Sequence, residues 1–245
     1  AKRKFDLWRY SELLPIHKPL PALKLGEGGT PLIQAVNLGL MLGCPNIFIK
    51  DERQGPTASF KDRQAAVTIA ALKEAGITEM VAASTGNVAI SYSAYAARAG
   101  IKLWAFVTSL VPALKMREIA LYGSQVLKVT GTYDQVKQIA AEFAEQRGLY
   151  LDRGARTITS IEGMKTIAYE IAEQLTEELG PPEEPGTLWR TPTWYIQSVS
   201  GGMGPIGISK GFREMAQMGL TRQIPAIAAI QAEGCAPMVH AWMQN

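Results

Sequence analysis

Cysteine and histidine are scarce in this sequence, with two of each among 245 residues. Cys44 and Cys235 lie far apart, and neither has the close Cys or His neighbours that complete a zinc set. A disulfide framework is excluded on the same count, so a reducing cytoplasm is the expected compartment. His17 and His240 stand near opposite ends of the chain. They give a His-based metal site or a Ser-His-Asp triad little to draw on. Charge of one sign is lacking too. Against 25 Lys and Arg stand 22 Asp and Glu, a net charge of +3 spread evenly along the chain. That balance argues for neither a nucleic-acid partner nor a membrane surface. Charges, Gly or Pro interrupt every apolar run before it could cross a bilayer. The opening A-K-R-K-F-D-L-W-R-Y is basic, but no signal-peptide apolar stretch follows it. It also lacks an initiator methionine, so the chain need not begin where translation begins. No repeat or low-complexity tract occurs.

Apolar material is ample at 47% of residues, enough for a core. From residue 47 onward, short β-like runs alternate with helical stretches, the pattern of an α/β chain with parallel strands covered by helices. Strands are expected at 47–49, 80–83, 103–107, 125–129, 149–151, 194–199 and 226–231. Helices are expected at 63–74, 88–99, 115–122, 133–147, 162–179 and 205–218, with another beginning near the end. Between them G-P-P-E-E-P-G (residues 180–186) breaks the helix that precedes it. Its glutamates, with Glu177 and Glu178, read as a solvated helix end and loop rather than paired catalytic carboxylates.

Three strand-to-helix or loop-to-helix junctions carry chemistry. The first is G-P-T-A-S-F-K-D-R, residues 55–63. Thr57 or Ser59 can cap the following helix. Lys61 stands in the first turn, where the helix dipole disfavours a cation by about 0.3–1 kcal/mol. The same field favours the neutral amine that attacks an aldehyde to form a Schiff base, although an exposed surface lysine answers to the same position. The second is A-S-T-G-N, residues 83–87. Ser84 and Thr85, with unpaired backbone N–H groups, make an anion-binding corner, and Asn87 adds a side-chain amide. An ordinary helix cap is the plainer account of these residues. The third is S-V-S-G-G-M-G-P, residues 198–205. Gly201, Gly202 and Gly204 allow backbone amides to approach a phosphate, and Pro205 suits the first helical position. Neither a P-loop lysine pair nor a full dinucleotide fingerprint is present.

Taken together, a lysine fit for Schiff-base chemistry, an amide-bearing anion corner and a phosphate cradle match pyridoxal 5′-phosphate, which offers an aldehyde, a phenolic oxygen and a phosphate. Over nearly its whole length the chain resembles pyridoxal-phosphate enzymes of the tryptophan-synthase-beta family (fold type II), and within it the threonine synthases. E-G-G-T-P-L (residues 27–32), P-T-A-S-F-K-D-R, A-S-T-G-N, E-G-M-K-T (residues 162–166) and Q-A-E-G-C-A-P-M-V (residues 231–239) carry the likeness. The resemblance implies that Lys61 is the Schiff-base lysine and the acid and base at the substrate carbons. Asn87 would meet the phenolic oxygen, and Ser200, Gly201, Gly202, Met203 and Gly204 would wrap the cofactor phosphate. Ser84, Thr85 and Gly86 would hold the substrate carboxylate, and Lys115 would lie near the anionic tail. No metal is implied.

The implied fold has two open parallel or mixed sheets with helices on both faces. A large domain (1–64 and 152–245) binds the cofactor, and a smaller mobile α/β domain (65–151) closes the site. The implied activity is a carbon–oxygen lyase turning O-phosphohomoserine and water into threonine and phosphate, in a homodimer. Two positions depart from the family pattern. Ser160 stands where an Arg usually anchors the substrate phosphate, and the cofactor loop reads S-G-G-M-G where Asn residues are usual. The first keeps open a different amino-acid substrate, such as phosphoserine, threonine or serine; a truncated, non-catalytic cofactor-binding module is a further alternative. The family also continues well beyond residue 245, with a segment that places a hydroxyl at the pyridine nitrogen. A chain ending there is expected to expose apolar surface and to bind the cofactor weakly.

Overall fold

The computed structural model describes residues 3–18, 20–84, 86–183 and 186–244. The chain divides into two compact units, Ala1–Gly163 and Met164–Asn245. In the first, β1 (Leu32–Gln34) and β2 (Phe48–Lys50) pair antiparallel around α1 (Val36–Leu42). There follow α2 (Lys61–Glu74), β3 (Glu79–Ala83), α3 (Asn87–Ala99), β4 (Lys102–Thr108), α4 (Ala113–Leu121), β5 (Gln125–Val129), α5 (Tyr133–Arg147) and β6 (Tyr150–Leu151). The last four strands form one all-parallel sheet in the order β5-β4-β3-β6.

The central strands are apolar on both faces, as parallel strands covered by helices must be. Met80, Val81 and Ala82 of β3 and Ala105, Phe106 and Val107 of β4 are all buried. One face is covered by α2 and α3, whose Ala65, Ala66, Ala70, Ala89 and Ala96 let the helices lie close. The other is covered by α5, through Val136, Ala140 and Ala144 against Val81 and Phe106. A capping box starts α5, with the Thr132 hydroxyl accepting from the Gln135 amide and the Gln135 side chain accepting from that of Thr132. Gly148 ends it in the left-handed conformation.

The boundary between the units falls within α6 (Ile158–Leu179). The second unit then carries β7 (Trp194–Ser198), α7 (Met203–Gln217), β8 (Ala226–Ile230) and α8 (Pro237–Met243). β7 and β8 pair parallel, from Trp194 opposite Ala226 to Ser198 opposite Ile230. Ile208, Phe212 and Met215 of α7 are fully buried. Gly211 lets α7 approach the backbone of Lys165, where a Cβ would sit 2.5 Å from the carbonyl oxygen. Glu214 of α7 accepts a short hydrogen bond from Tyr169 and pairs with Lys165 at 3.0 Å.

Helices at the chemical junctions start earlier than the sequence pattern indicates: α2 at Lys61, α6 at Ile158 and α7 at Met203. The first turn makes no intrahelical N–H bonds, so residues without helical periodicity fit there. Pro205 is consequently the third helical residue and not the first. Among the described residues no helix is long and apolar enough to cross a membrane, and no His, Cys, Asp and Glu cluster could hold a metal.

Candidate active site

Lys61 is the first residue of α2, and its loop is held from several sides. Arg63, 1% exposed, pairs with Glu52 at 2.7 Å and donates to the Thr30 hydroxyl at 3.1 Å. Asp62 reaches back to the Thr57 amide at 2.8 Å and accepts from its hydroxyl at 2.5 Å. Thr57 is therefore committed to Asp62 rather than to a helix cap, while Ser59 accepts from the Lys61 amide at 3.2 Å. Ala58 has φ 52°, the one non-glycine residue with positive φ among the described residues. Such strain persists only where surrounding contacts over-determine the backbone, and it clusters at functional loops. Glu27 and Thr30 of the E-G-G-T segment serve the same frame. Glu27 accepts from Tyr95 at 3.0 Å and from the Leu25 amide at 2.8 Å.

The Lys61 amine is half-buried and lies 4.2 Å from the centre of the Phe60 ring. Burial lowers its pKa to about 8, with the charge of Asp152 acting in the opposite sense. A lysine so placed has a substantial neutral fraction near physiological pH, as carbonyl chemistry requires.

The anion corner forms where β3 meets α3. Its N-cap, Gly86, has no side-chain cap bond, so Asn87 does not cap the helix; it is exposed at the first helical position. Ser84 contributes less backbone than expected: its amide donates to Phe106 at 3.1 Å, and its hydroxyl accepts weakly from the Gly86 amide at 3.4 Å. Thr85 lies outside the described residues. The half-buried Lys115, on α4, reaches over this corner: its Nζ is 3.9 Å from where a Gly86 Cβ would sit. Helix N-terminus and ammonium thus converge on one small space suited to an anion.

Ser160 is placed differently from expectation. It is fully buried in the first turn of α6, and its hydroxyl meets Tyr92 at 3.1 Å and Thr68 at 3.3 Å. Because α6 begins at Ile158, residue 160 turns into the packing against α2 and α3 and not towards open space. Sequence reasoning missed the group at the centre of this network, Asp152, just past the end of β6. Its carboxylate accepts from Tyr92 at 2.9 Å, Thr157 at 3.0 Å and the Gly154 amide at 3.3 Å. A carboxylate after the C-terminal end of a parallel strand is the one sequence signal that could have found it.

In the second unit, the glycine loop enters α7 through Gly202, at φ 76° and N-cap to the helix. Gly201 is exposed with nothing near a would-be Cβ, whereas one on Gly204 would strike the Gln197 side chain at 2.6 Å. Gly204 is thus a packing requirement, and so is the buried Gly202, where a Cβ would sit 2.9 Å from the Met238 methyl; Gly201 provides the open backbone. No acidic residue stands in the first turn of α7. Open amides, the Ser200 hydroxyl and the absence of local negative charge together fit a phosphate. The Lys61 amine likewise fits the aldehyde carbon of pyridoxal phosphate.

A family model of pyridoxal-phosphate dependent enzymes matches residues 23–245. The chain belongs to that family. Its cofactor is pyridoxal 5′-phosphate. Among relatives of this pyridoxal-phosphate enzyme, threonine synthase of Methanocaldococcus jannaschii is 34% identical over 245 residues, all of this chain and 57% of that protein. Threonine synthase of Methanosarcina acetivorans is 32% identical over 237 residues, 96% of this chain and 55% of that protein. The chain therefore spans little more than half the length of these relatives. Of solved structures, maize serine racemase superposes with a TM-score of 0.72 at 22% identity, covering 88% of this chain and 59% of that one. Processed threonine deaminase isoform 2 of Solanum lycopersicum gives 0.70 at 23%, covering 88% and 54%. At such identities these two establish the fold type alone.

Proposed function

We propose that the protein is a pyridoxal-phosphate-dependent carbon–oxygen lyase converting O-phosphohomoserine and water to threonine and phosphate. The observation that carries the reading is Lys61: half-buried, at a helix start, on a strained and heavily braced loop, with a pKa near 8. Similarity to threonine synthases over the full chain supports the choice of substrate.

Lys61 would hold the cofactor, Asn87 its phenolic oxygen, and Ser200, Gly201, Gly202, Met203 and Gly204 its phosphate. When bound, pyridoxal phosphate supplies an electron sink for negative charge developing on the substrate carbons. The chain's own residues do the rest. The N-terminus of α3, with Ser84, Thr85 and Gly86, orients the substrate carboxylate, and Lys115 receives the anionic tail. Lys61 gives and takes protons near neutral pH, where its pKa makes both directions accessible. In this reading residues 65–151 act as a smaller domain, residues 1–64 and 152–245 belong to the larger, and the protein works as a cytoplasmic homodimer.

A second reading, a related enzyme acting on phosphoserine, threonine or serine, is favoured by the burial of Ser160, which leaves no guanidinium at that place. The test is to supply pyridoxal phosphate with each amino acid in turn and measure phosphate, threonine and keto acid. Threonine and phosphate released together from O-phosphohomoserine support the first reading. Keto acid from serine or threonine, with no phosphate released, supports the second.

A further inference from the structure

Asp62 follows Lys61 in the first turn of α2 and is only 2% exposed. A carboxylate is favoured at that end of a helix, but an exposed one would serve the helix dipole as well. Burial needs another reason, since a carboxylate taken out of water costs stability unless its oxygens are hydrogen-bonded. The loop before α2 supplies the bonds. One oxygen accepts from the Thr57 amide at 2.8 Å and the other from the Thr57 hydroxyl at 2.5 Å. With its proton given to Asp62, the Thr57 hydroxyl accepts from Ser91 of α3, 2.9 Å away. Ser91 is fully buried and stands at i+4 from Asn87, on the same face of α3. Gly55 completes the fit, because a Cβ there would sit 2.7 Å from an Asp62 oxygen.

These contacts enclose Ala58. Its amide donates to the Gly55 carbonyl at 2.9 Å, and that of Asp62 donates to the Ser59 carbonyl at 3.1 Å. The left-handed backbone at Ala58 is disfavoured about tenfold for a residue with a Cβ. Released from Asp62, the loop would relax towards other conformations, and Lys61 at its end would move with it. We propose that Asp62 is a positioning residue for Lys61: through Thr57 it keeps the strained loop closed and ties it to the helix that carries Asn87. The proposal rests on Lys61 being the cofactor lysine. The lysine then stands in its binding orientation before the cofactor arrives, and binding need not supply the cost of ordering the loop.

The decisive substitution is Asp62→Asn, which keeps the size of the side chain and removes one of its two acceptors. In cofactor-free protein, hydrogen exchange across residues 55–60 should quicken about tenfold or more, while the later turns of α2 keep their native protection. Pyridoxal phosphate, titrated by its visible absorbance, should bind about tenfold more weakly. Adding Ala58→Gly should restore part of that affinity, because glycine adopts the left-handed conformation freely; loss of packing alone would not be repaired there. Thr57→Val removes the bridging hydroxyl from the other side and serves should Asp62→Asn fail to fold. It is expected to act in the same direction by less, with Thr57→Ser close to native. Affinity unmoved in either folded variant overturns the role of Asp62, and so does exchange that rises equally throughout α2. Borohydride fixation in the native protein tests the lysine separately. Cofactor fixed at another lysine overturns the assignment of Lys61, whereas cofactor fixed at Lys61 with the variants unmoved overturns Asp62 alone.

Discussion

At the scale of single residues, Lys61 is defined by what surrounds it rather than by what it is. The chain has many lysines, and at this one burial lowers the pKa to about 8. Lys61→Ala is expected to abolish both the visible absorbance given by added pyridoxal phosphate and the adduct that borohydride fixes. The fold should remain, since a helix start tolerates alanine; persistence of the adduct would place the cofactor elsewhere. Asn87→Ala removes one exposed amide that makes no cap. It is expected to weaken cofactor binding by about 0.5–1.5 kcal/mol, seen in a titration of the absorbance. Ser160 gives a prediction of the opposite kind. An arginine there would bring an unpaired guanidinium into a fully buried network, so Ser160→Arg should destabilise the protein by about 3–5 kcal/mol in denaturant melts and not improve phosphate recognition.

At the scale of elements, α6 and α7 are joined within the second unit by packing and by one carboxylate. A methyl group at Gly211 would overlap Lys165 and Ala168, so Gly211→Ala is expected to cost about 1–3 kcal/mol, measured by thermal or urea unfolding. For Glu214, burial pushes the pKa up. The hydrogen bond from Tyr169 and the nearby Lys165 and Lys210 outweigh that and hold it below the usual value of 4.5. A carboxyl depressed in the fold stabilises while ionised, and that contribution is lost as pH falls below 4.5 and through the folded-state value. The melting temperature of Glu214→Gln should therefore fall short of the native protein's at pH 7, with the gap narrowing towards pH 3. A constant gap would mean that the contacts hold without the charge.

At the scale of the whole molecule, β7, β8 and α8 carry large apolar side chains in the open: Trp194 at 60%, Ile196 at 67%, Ile230 at 53% and Trp242 at 84% exposure. Exposed groups of this size mark interaction surfaces or association hazards. The 245-residue chain is expected to bind a hydrophobic dye and to associate with rising concentration in light scattering. The double substitution Trp194→Lys, Ile196→Lys should reduce both.

The alternation of short apolar runs with helical stretches determined the α/β class and nearly every element, because the two periods, 2 and 3.6, are local properties of the chain. Gly100 and Gly148 end α3 and α5 in left-handed backbone, which favours glycine. Lys61, the A-S-T-G-N corner and the glycine loop were legible because the resemblance rests on residues that must stand at helix starts. Only the tertiary structure decided what Ser160 and Asp152 do. One is turned into the core and the other is held just past the end of β6, through contacts between residues 60 or more positions apart. Spacing along a chain carries no record of which distant hydroxyl meets which carboxylate; packing α2 and α3 onto the end of β6 creates that pairing.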